Sequence, residues 1–463
     1  MAGPVLQRIV VMTDAPVLII GGGFSGTLLA INLVRLGGRV ILIERDEAAL
    51  AKGLAFGTRH SEHLLNVRAS NMSAFPDDTK HFLRWMGFST LDQANRFVPR
   101  LAYGQYLHAL LVKSLAAAGN RLTIRPGTAV DLHEQADGVV LTLQDGAQIV
   151  GSAAVLALGN FPPRLPGVLS GLPARLAVND PWATDALAGL ANDAPVLLVG
   201  TGLTAVDVIL SLTRQGHYGP VLSLSRRGLH PRSHLPVGPD LGVVPIPPER
   251  GTALIRATRN RAKAVGWWQA VDELRPHTRT LWQAHSARSQ AAFLRHLRPY
   301  WDVHRHRLAP AIAQQLAAQE ATGRLNFAGG RIVSAQANDG EVAVAWRPRG
   351  TDGRQVFHAA RVINCTGPEG DIAEVRQPLL GTLLERGTLR ADAHRLGLDV
   401  DPQWRVLDRA GAAARRVFAA GPLTKGAAWE IIAVPDIRHQ VWELARTLAG
   451  KDTVVRRTGS GED

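Results

Sequence analysis

Two short apolar runs in this chain each break into a glycine turn and continue as an amphipathic helix, and that repeated strand–turn–helix unit commits the chain to parallel α/β architecture. The first unit reads Val17-Leu18-Ile19-Ile20-Gly21-Gly22-Gly23-Phe24-Ser25-Gly26, and the next apolar run, Val40 to Ile43, ends in Glu44-Arg45. The second reads Val196-Leu197-Leu198-Val199-Gly200-Thr201-Gly202-Leu203-Thr204-Ala205, and its next run, Val221 to Leu224, ends in Ser225-Arg226-Arg227. In a Gly-x-Gly-x-x-Gly turn the first glycine permits the bend, the second lets the backbone approach a pyrophosphate, and the third lets helix and strand pack closely. Gly21, Gly23 and Gly26 occupy these positions; Gly200, Gly202 and Ala205 do so in the second turn, alanine being an allowed third residue. The helix start at Phe24 and Ser25 offers free N–H groups and partial positive charge to such a ligand.

The two units differ in what grips the ribose. Glu44 lies where a carboxylate accepts from ribose hydroxyls. At the matching place in the second unit stand Arg226 and Arg227, with Arg232 and His234 soon after. Guanidinium groups pair with a phosphate, so NADP(H) is preferred there, with NAD(H) as the alternative.

With 463 residues the chain can hold two or three domains, and 46% hydrophobic with 20% charged residues is an ordinary globular balance. No apolar stretch approaches the roughly 20 residues of a membrane span. Residues 1–13 read as a loose extension whose apolar run is too short for a signal peptide, and 456–463 as a tail. The single Cys365 leaves no Cys-x-x-Cys redox pair and fits a cytoplasmic protein. The net charge of +13 favours anionic partners, but an Arg-based balance is common enough that nucleic acid is the weaker reading. No histidine spacing suggests a metal site.

Two further apolar strands, from Ala153 to Leu158 and from Arg361 to Asn364, run into glycine turns containing Gly159 and Gly367. Taken as the exit from and return to one domain, they give a first nucleotide-binding part over 14–163, an inserted second domain over 164–356, and a resumption over 357–455. The expected fold is thus two Rossmann-like dinucleotide-binding domains, one inserted in the other. Leu122–Arg125, Val139–Leu143 and Val342–Trp346 read as small antiparallel additions. The inserted domain carries a basic helical segment over 250–319 with Trp267, Trp268, Trp282 and Trp301 among arginines and histidines. Its aromatics either pack against the nucleotide domains, or the segment is a lid recognising an acidic substrate or cofactor phosphates.

The order of these parts resembles the two-dinucleotide flavoproteins, including the N-hydroxylating and flavin-containing monooxygenases. The strings Gly53-Leu54-Ala55-Phe56-Gly57-Thr58, His63-Leu64-Leu65-Asn66-Val67, Met72 to Asp78, Phe97-Val98-Pro99-Arg100, Ser225 to Arg232 and Phe418 to Gly426 are similar to a bacterial FAD/NAD(P)-binding family. The resemblance implies FAD at the first turn and NADP(H) at the second. It places Asn66 near the isoalloxazine and the start of the last helix, after Ala420-Gly421-Pro422, at the flavin's pyrimidine end, with Lys425, Trp429 and Glu430 bordering the substrate. Its activity would be NADPH reduction of FAD, followed by oxygenation of a small amine-containing or anionic substrate by a C4a-hydroperoxyflavin. Transfer of electrons to a quinone or partner, and a nucleotide-binding regulatory role, are the alternatives. The Phe-x-Gly-x-x-x-His signature of Baeyer–Villiger and flavin-containing monooxygenases has no counterpart between the turns, where the chain reads Phe161-Pro162-Pro163 and Val178 to Trp182. This weighs against ketone-to-ester oxygenation.

Overall fold

The computed structural model describes residues 15–236 and 244–451. The segments 1–13 and 456–463 lie outside these residues.

Each apolar run becomes a central strand buried on both faces, as parallel sheets require. In the first sheet the strand order is Arg405–Leu407, Ala413–Ala419, Ala153–Leu156, Val17–Ile20, Val40–Glu44, Leu122–Pro126, parallel except for the antiparallel pair at the Arg405 edge. The helix Phe24–Arg35 covers it, buried along nearly its whole length. The last helix, Val434–Leu448, packs on this helix. Leu122–Pro126 pairs parallel with Val40–Glu44 and so belongs to the main sheet, not to the antiparallel additions expected for it. A separate antiparallel meander is formed by Ala129–Glu134, Val139–Leu143 and Gln148–Gly151.

The second sheet runs Gln355–Ala359, Glu341–Pro348, Leu325–Asn338, Val221–Ser225, Val196–Val199, Arg361–Asn364, Ala177–Val178. Its inner strands are parallel, and the long hairpin at one edge is antiparallel. Arg361–Asn364 lies between Val196–Val199 and Ala177–Val178. The sequence boundary at 356/357 therefore falls too early, because this strand completes the second sheet. A four-residue apolar strand suits the middle of either parallel sheet equally well, so composition cannot assign it. Beyond it, from Ile372, the chain packs into the first core.

The crossover from Val221–Ser225 to Leu325–Asn338 is unusually long. Its covering helix is Pro310–Ala321, whose Ile312 and Leu316 enter the second core. Before it stand Gly251–Leu274, Thr278–Gln283, Ala287–Ala292 and Arg298–Arg305. Among the described residues no helix is long and apolar enough to cross a membrane.

Candidate functional site

At Gly21 and Gly26 of the first turn only glycine fits. Gly21 has φ +105°, and a Cβ there would overlap the Ala157 carbonyl; one on Gly26 would overlap the carbonyl of Gly21. Gly23 caps the helix Phe24–Arg35 without any side-chain acceptor, leaving the first-turn N–H groups to a ligand. Phe24 and Ser25 are buried, and Phe24 meets Phe56 edge-on at 5.6 Å. Glu44 closes the far side: its Oε2 accepts from Gly22 N at 2.6 Å and its Oε1 from Asp46 N at 3.0 Å.

Gly21, Gly23, Phe24, Ser25, Glu44 and Phe56 line one cleft of about 1350 Å³ that also includes Arg45, Gly53, Gly159, Trp182 and Pro422. It exceeds the roughly 300–1,000 Å³ of an ordinary small-molecule pocket, as an extended dinucleotide needs. Gly421 is buried directly before the lining residue Pro422: φ is +70°, a Cβ would strike Ser25 Oγ, and its N–H donates to the buried Gln440 Oε1 at 2.7 Å. A turn from the end of the chain is thus locked against the turn at its beginning. From Gly421 the chain makes only a short 3₁₀ turn, Gly421–Thr424, and the last helix begins at Val434. The helix start expected after Pro422 is supplied by Val434, which lines the cleft together with Ile437.

The second turn repeats the first. Gly200 has φ +126°, and a Cβ would overlap the Cys365 carbonyl, so the chain leaving Arg361–Asn364 does for this turn what the chain leaving Ala153–Leu156 does for the other. Gly202 caps Leu203–Arg214, again without a side-chain acceptor, and Ala205 is fully buried against the sheet. Both cradles fit a dinucleotide pyrophosphate.

The two arginines after Val221–Ser225 part company. Arg226 is exposed. Arg227 donates to His296 O at 3.2 Å and Arg295 O at 3.4 Å, and its guanidinium lies 5.2 Å from the Tyr300 ring. Arg226 is left facing solvent, while Arg227 ties the helical segment to the turn.

Asn66 and Lys425 lie outside the cleft lining. Asn66 is half-buried, and its carbonyl accepts from His234 Nε2 at 3.0 Å. Burial pushes His234 down to about 4, so the ring is neutral at physiological pH. Lys425 packs on the Trp429 ring at 4.8 Å.

The helical segment covers the returning chain. Trp282 Nε1 donates to Gly426 O at 2.7 Å, Gln283 Nε2 to Ala427 O at 3.1 Å, and Trp301 Nε1 to Glu430 Oε1 at 2.8 Å. Arg305 pairs with Glu430 at 3.0 Å, and Arg275 with Asp436 at 2.7 Å. Trp282, Trp301 and two arginines of the segment therefore form a packed cover, the first of the two roles left open from sequence. Sequence reading missed the junction of the two units, His63, Arg100, Asp207 and Ser211, because it forms only across the domain boundary. Among the described residues no group of three His, Cys, Asp or Glu could hold a metal ion.

Residues 18–161 match the FAD-NAD(P)-binding family. Comparison with curated protein sequences gives no match. Among solved structures the chain is similar to the FAD-bound cadaverine monooxygenase of desferrioxamine biosynthesis from Erwinia amylovora, at TM-score 0.66 and 12% identity, covering 98% of this chain and 100% of the other. It is similar to the ornithine N-hydroxylase of Kutzneria sp. 744, determined with reduced FAD, NADP+ and L-ornithine, at TM-score 0.59 and 14% identity over 94% and 98% of the chains. The thioredoxin reductase of Lactococcus lactis is similar at TM-score 0.52 and 14% identity over 95% and 99%. Residues 18–161 are an FAD/NAD(P)-binding domain, set in the two-unit fold of the flavoprotein monooxygenases and reductases.

Proposed function

We propose that the protein is an FAD-dependent NAD(P)H oxidoreductase that oxygenates a small substrate, with FAD at the Gly21–Gly26 turn and NADP(H) at the Gly200–Ala205 turn. The observation that carries this reading is the pair of glycine cradles, one backed by Glu44 and the other by the exposed Arg226. Phe24, Ser25 and Gly26 would hold the FAD pyrophosphate and Glu44 its ribose; Gly202, Leu203 and Arg226 would hold NADP(H) and its 2′-phosphate. Bound flavin supplies two-electron exchange with a nicotinamide and reaction with dioxygen.

The chain's own residues supply alignment and shielding. Arg100, His63 and Thr58 fasten the helix behind the second turn to the first unit, and Trp282 and Trp301 cover the returning segment. Such a cover favours oxygenation of a small molecule over delivery of electrons to a large partner, since it excludes bulk water. The buried Cys365 stands without a second thiol, so the dithiol chemistry of thioredoxin reductase has no counterpart. A cytoplasmic location fits this free thiol.

The test is stoichiometric. FAD-loaded protein should be bleached by NADPH without air, and in air a small amine should convert oxygen consumption into hydroxylated product. Return of all consumed oxygen as peroxide with every amine, alongside fast quinone reduction, would establish the reductase reading instead.

A further inference from the structure

Beside its helix start, the first cradle is backed by one short stretch of chain, Leu50 to Gly53. Ala51 N donates to Gly22 O at 2.8 Å, and a Cβ on Gly22 would meet the Leu50 side chain at 2.8 Å. The Gly53 Cα lies 3.5 Å from where a Cβ on Gly23 would stand. The stretch holds this course in a left-handed backbone: φ is +65° at the fully buried Ala51 and +53° at Gly53. Alanine enters that region at a cost, and such strain collects at sites where the chain must hold one side chain in a set place. The side chain carried between the two contacts is Lys52.

Lys52 is half-buried and lines the cleft. Its stem runs beside Gly104, where a Cβ would come within 3.5 Å of the Lys52 Cγ. Among the described residues its ammonium has neither an ion-pair nor a hydrogen-bond partner. Glu44, the acid of this cradle, is engaged by Gly22 N and Asp46 N. A helix start contributes roughly half an elementary charge, whereas a dinucleotide pyrophosphate carries an ionised oxygen on each of its phosphates. The helix start therefore leaves most of that charge unmatched, and the Glu44 carboxylate adds to it. A lysine ammonium, a compact charge on a flexible stem, suits either phosphate.

We infer that Lys52 is the counter-charge for the FAD pyrophosphate, closing its seat from the Leu50 to Gly53 side. The inference rests on the reading above for FAD as the occupant of the first turn. A cation for the pyrophosphate of another dinucleotide would stand without it.

The test is release of FAD from the loaded holoprotein, followed by flavin fluorescence during dialysis against rising potassium bromide. Lys52→Met, which keeps the stem, should raise the dissociation constant by at least about tenfold, the loss expected for one charged hydrogen bond. Lys52→Arg should restore most of the retention. Arg59→Gln removes an exposed cation from the same cleft and should change retention little. Displacement of FAD by ADP and by adenosine locates the charge: Lys52→Met should weaken ADP about tenfold and leave adenosine unchanged. An equal loss of FAD in Arg59→Gln, or equal weakening of ADP and adenosine, overturns the inference. A parent protein that binds ADP but no FAD, with the same loss in Lys52→Met, upholds the counter-charge and sinks the flavin reading. FAD held equally by the parent and Lys52→Met does the reverse.

Discussion

The Arg100 guanidinium donates to Asp207 Oδ2 across 2.7 Å, joining the start of the helix Arg100–Ala118 in the first unit to the helix behind the second glycine turn. His63 reinforces the junction: its Nε2 lies 3.1 Å from Asp207 O and 3.0 Å from Ser211 Oγ, while its Nδ1 meets Thr58 Oγ1 at 2.9 Å. Both partners of the ion pair are shielded, with side chains 15% and 6% exposed. The pair thereby ties the helix behind the second cradle to the first unit.

Asp207→Ala should leave Arg100 buried without a counter-ion, and loss of one partner of such a pair costs about 3–5 kcal/mol. Urea unfolding would measure it, and the double variant Arg100→Met/Asp207→Ala should recover much of the loss. A single-variant cost under about 1 kcal/mol would mean that solvent screens the pair.

Gly26→Ala should abolish stable flavin loading, because the new methyl overlaps the Gly21 carbonyl and pushes the helix start off the strand. The flavin-to-protein ratio after gel filtration checks this. Retention of FAD at the parent ratio would show that the turn can open without loss of the cradle.

Arg226→Ala should raise the Michaelis constant for NADPH by about tenfold or more and that for NADH little, since a charged hydrogen bond to the 2′-phosphate is lost. Arg227→Ala should act differently, by releasing His296 O and Arg295 O and loosening the helical cover for both nucleotides alike. Identical kinetic changes in the two variants would contradict this division.

His234 predicts a dependence of stability on pH. Burial is the main cause of its fall to about 4 from 6.5, opposed by the Asn66 carbonyl and assisted by the Arg307 and Arg68 charges. Between these values the unfolded chain binds the proton and the native state does not, so stability falls as pH drops through that window. The contribution is complete above pH 6.5 and on the order of 3 kcal/mol. His234→Gln keeps a donor for Asn66 and should flatten the difference between urea midpoints at about pH 4 and about pH 7. An unchanged slope would place the acid sensitivity elsewhere.

The glycine cradles were legible because their constraint is local. Gly21 and Gly200 need positive φ next to a strand, and Glu44 comes at a spacing set by one helix. The course of Arg361–Asn364 was not legible, since an apolar strand of four residues joins whichever parallel sheet has a gap. Nor could spacing tell Arg226 from Arg227, which are adjacent in sequence and differ only in that the helix after Phe293 reaches one of them.

By itself the sequence determined two nucleotide-binding units, the acid and the arginines that distinguish them, and a tryptophan-rich helical segment in the second. Those features rest on periodicity, backbone conformation and charge within one unit. Only the tertiary structure decided that Gly421 closes against Ser25 and that Arg100 reaches Asp207. These are contacts between segments far apart in the chain, and their energies come from burial and pairing that no local pattern encodes.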